Sequence, residues 1–260
     1  MNKIRGESDR IPLIGEDHNT SYRIIIPFSK LAWLTVSLPF FAFIFCILWS
    51  IIYNFEHATF THCQVYNFLP SISAAIGNYE PQRNVWKTAI AIQAVNRFLV
   101  FIMYYYYYKE VTHKWAEGVS RAALFAYSLE NLSLVTLSFW TSKENYAFHK
   151  LSFITFLIIS LIHMGLSIYI EKNCRHMSRD ANELRSYVLK TRAMTLNIFS
   201  ILMACYFFWR HNAYCEPFVY SMFALFEYMV VLTNMTFHVT AAWDFAGRSL
   251  LFSTRGVRIV

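Results

Sequence analysis

Residues 31–53 read LAWLTVSLPFFAFIFCILWSIIY, and no Asp, Glu, Lys, Arg or His interrupts them. At about 1.5 Å of rise per residue a helix of this length exceeds the ~30 Å hydrocarbon core of a bilayer, so the stretch predicts a membrane span. Working outward from it, five further apolar segments follow at 88–108, 122–140, 151–170, 193–209 and 217–243. Their apolar runs are continuous, which excludes a transmembrane β-barrel, whose strands alternate. A soluble helical domain is excluded as well, because a 260-residue chain that is 56% hydrophobic cannot hide six helices with almost no polar face. The expected fold is therefore all-α: a polytopic bundle of six transmembrane helices over 31–243. It carries a long loop at 54–87, a disordered N-terminal tail over 1–30 and a second tail over 244–260.

Charge sets the expected orientation. An even number of spans puts both termini on one side, and that side holds seventeen Lys and Arg residues in its tails and loops, against five on the other. By the positive-inside bias both termini are cytosolic and the loop 54–87 is luminal. The formal net charge of +7 is then a consequence of topology and of anionic lipid on the cytosolic leaflet, and calls for no nucleic acid. The first apolar run starts late and is too long for a cleavable signal, so the first helix acts as its own signal. The tyrosine run Tyr104–Tyr108 falls at the cytosolic end of the second span, where amphipathic rings favour the headgroup layer.

Cys63 and Cys215 both fall in luminal loops, where oxidation is permitted, and a disulfide between them is the preferred reading; two unpaired thiols are the alternative. The sequons at Asn19, Asn131 and Asn234 are not expected to be glycosylated, the first being cytosolic and the others inside spans.

Four ionisable residues, Arg97, Glu130, His163 and Glu227, lie near the middle of four different spans. A charge there costs about 2.5–3.5 kcal/mol even on insertion scales, so these groups face a protein interior or a wet cleft. Gln93, Asn96 and Arg97 share a face of the second span, Asn131 follows Glu130, and Glu227, Asn234 and His238 form a stripe on the sixth. Two readings stand side by side. One is structural: Arg97 pairs with Glu130 or Glu227 and ties the bundle together. The other is a hydrophilic cleft for a phospholipid headgroup, with Arg97 on the phosphate and His163 or His238 moving a proton. Arg210, His211 and Glu216 crowd a short luminal loop and form a second candidate group. No G-x-S-x-G, P-loop, H-E-x-x-H or Cys/His pair at metal spacing occurs, so no metal is expected.

Particular strings go further. THCQVYNFLPSISAAIG at 61–77, Glu130-Asn131-Leu132, Arg210-His211-Asn212 with Tyr214-Cys215-Glu216, and the run from Glu227 through Asn234 and His238 to Asp244-Phe245 resemble the Frag/Dram/Sfk family of six-span membrane proteins. Within it they are most similar to the members that act on GPI-anchored proteins after anchor attachment, and the likeness extends over about residues 20–250. The resemblance implies fatty-acid remodelling of GPI anchors, chiefly in the Golgi membrane and alternatively in the endoplasmic reticulum. There a saturated, stearoyl-type chain is installed at sn-2 of a lyso-GPI. The implied partners are lyso-GPI-anchored proteins and membrane lipid, and the sequence leaves the oligomeric state open. Whether such a chain is itself the acyltransferase, a lipid transporter or an accessory scaffold also stays open.

Reacylation needs a base for the glycerol hydroxyl, a donor for the developing oxyanion and a cation for the phosphate. His163, His238 or the luminal His211 suits the base, with Glu130 and Glu227 as the buried carboxylates of the acid–base set. Asn131 or Asn234 suits the donor and Arg97 or Arg210 the phosphate contact, and Asp244 joins the substrate-binding candidates. No bound cofactor is expected; the acyl donor, acyl-CoA or a phospholipid, is a co-substrate.

Overall fold

The computed structural model describes residues 22–77, 79–253 and 256–259. Among them six helices are long and apolar enough to cross a membrane. In chain order the elements are strand β1 (Tyr22–Pro27), span α1 (Phe28–Tyr53), short helices α2 (Phe55–Thr59) and α3 (Ile72–Gly77), and span α4 (Gln82–Val111). Then come α5 (Glu117–Phe139), α6 (Tyr146–Tyr169), α7 (Ala181–Tyr214), α8 (Val219–Val239), the single turn α9 (Ala241–Asp244), β2 (Ser249–Ser253) and β3 (Gly256–Ile259).

The helices outrun the apolar windows because charge does not end a helix when caps and partners are at hand. The fifth window of 193–209 grows into the 34-residue α7, opened by a capping box in which Asp180 accepts from Glu183 N and the Glu183 carboxylate accepts from Asp180 N. The buried residues of α7 include Ser186, Lys190, Ala193, Asn197, Ser200 and Ala204, a stripe in steps of four and three. The same spacing runs through Trp86, Ile90, Gln93, Arg97, Val100, Tyr104, Tyr107 and Val111 on α4. On α7 the small and polar residues of this 3.5-residue repeat let neighbouring backbones approach, while large apolar side chains of the bundle also face outward. Phe125 on α5, for example, is 70% exposed. α7 packs along α8, α5 along α6, and α1 along α4.

The expected disordered tail over 1–30 is corrected at its end. Residues 22–27 form β1, which pairs antiparallel with β2 from Pro27↔Ser249 to Tyr22↔Ser253, and β3 extends the sheet. The alternation-tolerant run YRIIIP favours a strand, and an even number of spans brings the chain's two ends to one face of the bundle, where pairing is available. Phe28 N donates to Arg248 O at 2.9 Å, fastening the start of α1 to the far end of the chain. The remainder of the expected tail, including Asn19, lies outside the described residues.

The tyrosine run is also corrected. Tyr104, Tyr107 and Tyr108 turn inward and are buried, while Tyr105 and Tyr106 stay exposed, since three of the five fall on the face that already carries Arg97 and Val100. They belong to an apolar cluster with Phe28, Met103, Tyr127, Ile170 and Phe245 at the sheet end. A second cluster, with Phe43, Cys46, Ile76, Trp86 and Ile90, fills the opposite end. Cys63 and Cys215 are joined by a disulfide at that opposite end, as the sequence suggested.

Candidate functional site: a buried carboxylate between two histidines and an arginine

Between the two apolar clusters lies a polar layer built by four helices. Glu130 on α5 is fully buried, and each of its oxygens is engaged. Oε2 accepts from His163 Nδ1 of α6 at 2.9 Å. Oε1 faces His238 Nε2 at 2.7 Å and Asn234 Nδ2 at 3.1 Å, both from α8, and Arg97 Nη2 of α4 at 3.2 Å. Arg97 is itself only 2% exposed. Of the two pairings open in the sequence, the structure selects Arg97–Glu130.

The ring contacts fix the geometry. The Arg97 guanidinium lies over the Tyr127 ring at 4.9 Å, and Tyr127 stands edge-on to His163 at 5.1 Å and to His238 at 5.8 Å. The Tyr127 hydroxyl donates to Arg97 O at 3.2 Å. Tyr127 went unremarked in the sequence, although it sits three residues before Glu130 on the same inward stripe as Ser120 and Ala123.

The Glu130 carboxylate decides the tautomers, because it can only accept. His163 donates from Nδ1, leaving Nε2 with the lone pair. His238 Nε2 lies within reach of both the Glu130 carboxylate and Arg97 Nη2, which only donates; with Nε2 donating to the carboxylate at 2.7 Å, Nδ1 keeps the lone pair and faces Arg97 Nη2 at 3.4 Å. Each is thus a carboxylate-oriented imidazole whose remaining nitrogen can take a proton. His238, Arg97, Gln93 and Tyr127 line a cavity of about 10 Å³, bordered also by Ala32, Thr35 and Val36 of α1. That is close to the space one water centre requires. Arg97 Nε and Nη1 and Gln93 Oε1 have no hydrogen-bond partner among the described residues.

Glu130, His163 and His238 also present ligand atoms within 4.8 Å of one another, as a cation site would. Arg97 competes for that place: its Nη2 is 2.8 Å from His238 Nε2, so a shared metal ion would meet a guanidinium charge. At His62, Cys63 and Cys215 the two sulfurs are bound to each other and offer no thiolate.

The other candidates lie elsewhere. Asn131 donates to Ala94 O at 3.3 Å, and Asn234 is spent on Glu130, which leaves the unpartnered Arg97 nitrogens as the donors at the cavity. Glu227 Oε2 accepts from Ile72 N at 2.9 Å, and the neighbouring Tyr228 donates to Pro70 O, so this pair pins the 54–81 loop onto α8. His211 is buried in the last turn of α7, 5.5 Å from the His62 ring and 4.9 Å from Tyr220, with both ring nitrogens unpartnered. It stands fourteen residues, about 21 Å of helix, beyond Asn197. Arg210 pairs with Glu216 at 2.5 Å on the exposed surface of the same end. The Arg210 guanidinium holds the Glu216 carboxyl below its ordinary range.

Asp244 anchors a second polar layer toward the sheet, accepting from Lys190 Nζ at 2.5 Å and Tyr104 Oη at 2.7 Å. Beyond it Arg175 bridges Glu171 and Glu183, each at 2.9 Å, and donates to the Tyr107 hydroxyl. These carboxylates and the Tyr107 oxygen hold the Arg175 guanidinium charged against the cost of its burial, raising its pKa.

A multi-pass membrane protein with a charged, carboxylate-centred core is thus the class defined by fold and site. Residues 27–247 match the domain described as Frag1/DRAM/Sfk1/Cwh43P N-terminal domain, and the chain belongs to that family. It is 42% identical to a Drosophila pseudoobscura protein named post-GPI attachment to proteins factor 2, over 89% of this chain and 90% of the relative. It is 39% identical to a Xenopus tropicalis protein named acyltransferase PGAP2, over 94% and 97%. Protein cwh43 of Schizosaccharomyces pombe is 26% identical over 68% of this chain and 17% of its own length. No solved structure matches the chain significantly.

Proposed function

We propose that this protein takes part in remodelling the lipid of GPI anchors. In this reading it catalyses the transfer of a saturated, stearoyl-type chain to the sn-2 hydroxyl of a lyso-GPI in the Golgi membrane, with both termini cytosolic. The names of the relatives support the GPI role. The observation that carries the chemistry is the cavity where a carboxylate-oriented histidine, His238, meets an arginine with two unpartnered nitrogens.

In the reaction His238 Nδ1 takes the proton of the sn-2 hydroxyl. The glycerol oxygen attacks the acyl carbonyl of the donor, an acyl-CoA or a phospholipid, forming a C–O bond. The carbon–sulfur or carbon–oxygen bond of the donor breaks, and the proton returns to the leaving thiolate or alkoxide. Glu130 stabilises the imidazolium and holds its orientation, as a buried carboxylate does in hydrolytic triads. Arg97 Nε and Nη1 supply the donors for a phosphate or for the oxyanion. His163, on the other carboxylate oxygen, positions Glu130.

The small size of the cavity favours a second reading, a lipid-transport or accessory role in which no group acts as a base. The two separate in one experiment. Purified protein in vesicles is given a lyso-phosphatidylinositol acceptor and labelled stearoyl donors. Catalysis predicts labelled product with wild type and loss of at least about a hundredfold with His238→Ala at unchanged melting temperature. A folded wild type with no transfer from either donor, or a fully active His238→Ala, overturns the catalytic reading.

A further inference from the structure

The cavity beside Arg97 has a neighbour on the same seam. Further toward the disulfide end, the α1–α4 surface carries an open, largely apolar groove of about 540 Å³, lined by Leu38, Phe41 and Ala42 of α1 and by Asn84, Val85, Thr88, Ala89 and Ile92 of α4. Both openings are bordered by α1 and α4, and the cavity by α5 and α8 as well. From Arg97 to Val85 is twelve residues, about 18 Å of α4. The groove faces the surroundings of the bundle, which for a spanning helix pair are acyl chains.

Two further features point to an occupant. Arg97, 2% exposed, carries Nε and Nη1 donors that no described group satisfies, and the Gln93 carbonyl oxygen is likewise unpartnered. Buried polar atoms of this kind are costly unless a ligand or water completes them. Pro39 sits inside α1 among the residues lining the groove, three residues past Val36 of the cavity. A proline within a helix removes the N–H that would bond the carbonyl four residues earlier, here that of Thr35, and gives the helix a place to bend.

Building on the reading of the Arg97–His238 cavity as a lipid headgroup site, we propose that the α1–α4 seam is a lateral entry for a one-chain glycerophospholipid. Its single chain lies in the groove and a phosphate oxygen reaches Arg97 Nε or Nη1 as α1 yields at Pro39. The phosphate matches the charge of the guanidinium, and the sn-2 hydroxyl oxygen, three bonds along the glycerol from the phosphate ester oxygen, comes beside His238.

The test is photolabelling of the full-length protein in phosphatidylcholine vesicles. The probe is a lyso-phosphatidylinositol with a diazirine in its chain and an alkyne tag, run beside a monoacylglycerol of the same chain that lacks phosphate. The seam predicts label concentrated in residues 36–42 and 84–97, weaker by about tenfold with the monoacylglycerol or with Arg97→Gln at equal abundance. Ile92→Trp narrows the groove and should lower seam labelling, whereas Leu202→Trp, on exposed α7, should not. Label spread over α5 and α7 in proportion to their exposure, or equal labelling by both probes, overturns the proposal. Seam labelling without acyl transfer preserves the entry site and removes the catalytic reading. Transfer that proceeds with an unlabelled seam does the reverse.

Discussion

Removing one charge from the Arg97–Glu130 pair gives the most decisive structural test. Arg97→Met leaves a carboxylate that is fully buried, with only His163, His238 and Asn234 to compensate it. Breaking a buried pair by deleting one partner costs about 3–5 kcal/mol. Within membranes polar contacts average about 0.6 kcal/mol each, because the unfolded helices also find partners. Glu130 makes four contacts, so that scale gives about 2 kcal/mol as the lower bound for losing it. A destabilisation of about 2–5 kcal/mol at about 2–4 °C per kcal/mol predicts a fall in melting temperature of roughly 10 °C for Arg97→Met or Glu130→Met. The double variant leaves no buried charge from the pair and should recover most of the loss. Thermal unfolding of detergent-purified protein, followed by tryptophan fluorescence, reads all three. Singles within about 2 °C of wild type, or a double variant whose loss equals the sum of the two, would refute an energetically coupled pair.

The second polar layer behaves in the same way: Lys190→Met should lower the melting temperature by a similar amount through the orphaned Asp244, and Lys190→Met with Asp244→Leu should restore it, a reversal that a purely steric role for Lys190 would not give. Proteolytic nicking within 64–81 should leave the N-terminal fragment joined to the 215 region until a reductant is added. With closed vesicles of native orientation, an impermeant thiol reagent from the cytosolic side should miss Cys63 and Cys215 after reduction; labelling there would invert the orientation. Glu227→Gln removes the charge that accepts from Ile72 N, so nicking within 60–81 should speed up several-fold with little change in melting temperature, unchanged nicking being the contrary result.

The spans and the central charges could be read from sequence because hydropathy reports what lipid excludes. An arginine amid FLVFIM must find a partner, and the inward stripe that contains Arg97 narrows the choice. The disulfide was legible for a similar reason, since topology left Cys63 and Cys215 on one side. The second polar layer was not legible. Residues 171–192, between the fourth and fifth apolar segments, read as a charged loop because summed hydropathy sees Glu171, Arg175, Glu183 and Lys190 as four costs, whereas in the fold Arg175 meets both glutamates and Lys190 meets Asp244. The tyrosines went astray through the same arithmetic: amphipathic rings suit a headgroup layer, but Tyr104 and Tyr107 have acidic partners inside. Glu227 lies at mid-window in the sequence, yet its neighbour in space is the backbone of a loop about 155 residues away, a relation no local pattern encodes.

The attachments of α1 govern how it can move. At its start Phe28 N is held by Arg248 O beside the β1–β2 pairing, and near its end Ser50 Oγ bonds Ala75 O and receives Gln82 Nε2. A rod pinned at both tips cannot swing open like a door. It can only bow, with the greatest excursion near the middle, where Pro39 weakens it and the two openings of the seam meet. The displacement is then largest at mid-membrane and vanishes at the water interfaces, so a guest slides in sideways from the hydrocarbon while the ends of the bundle stay shut to solvent.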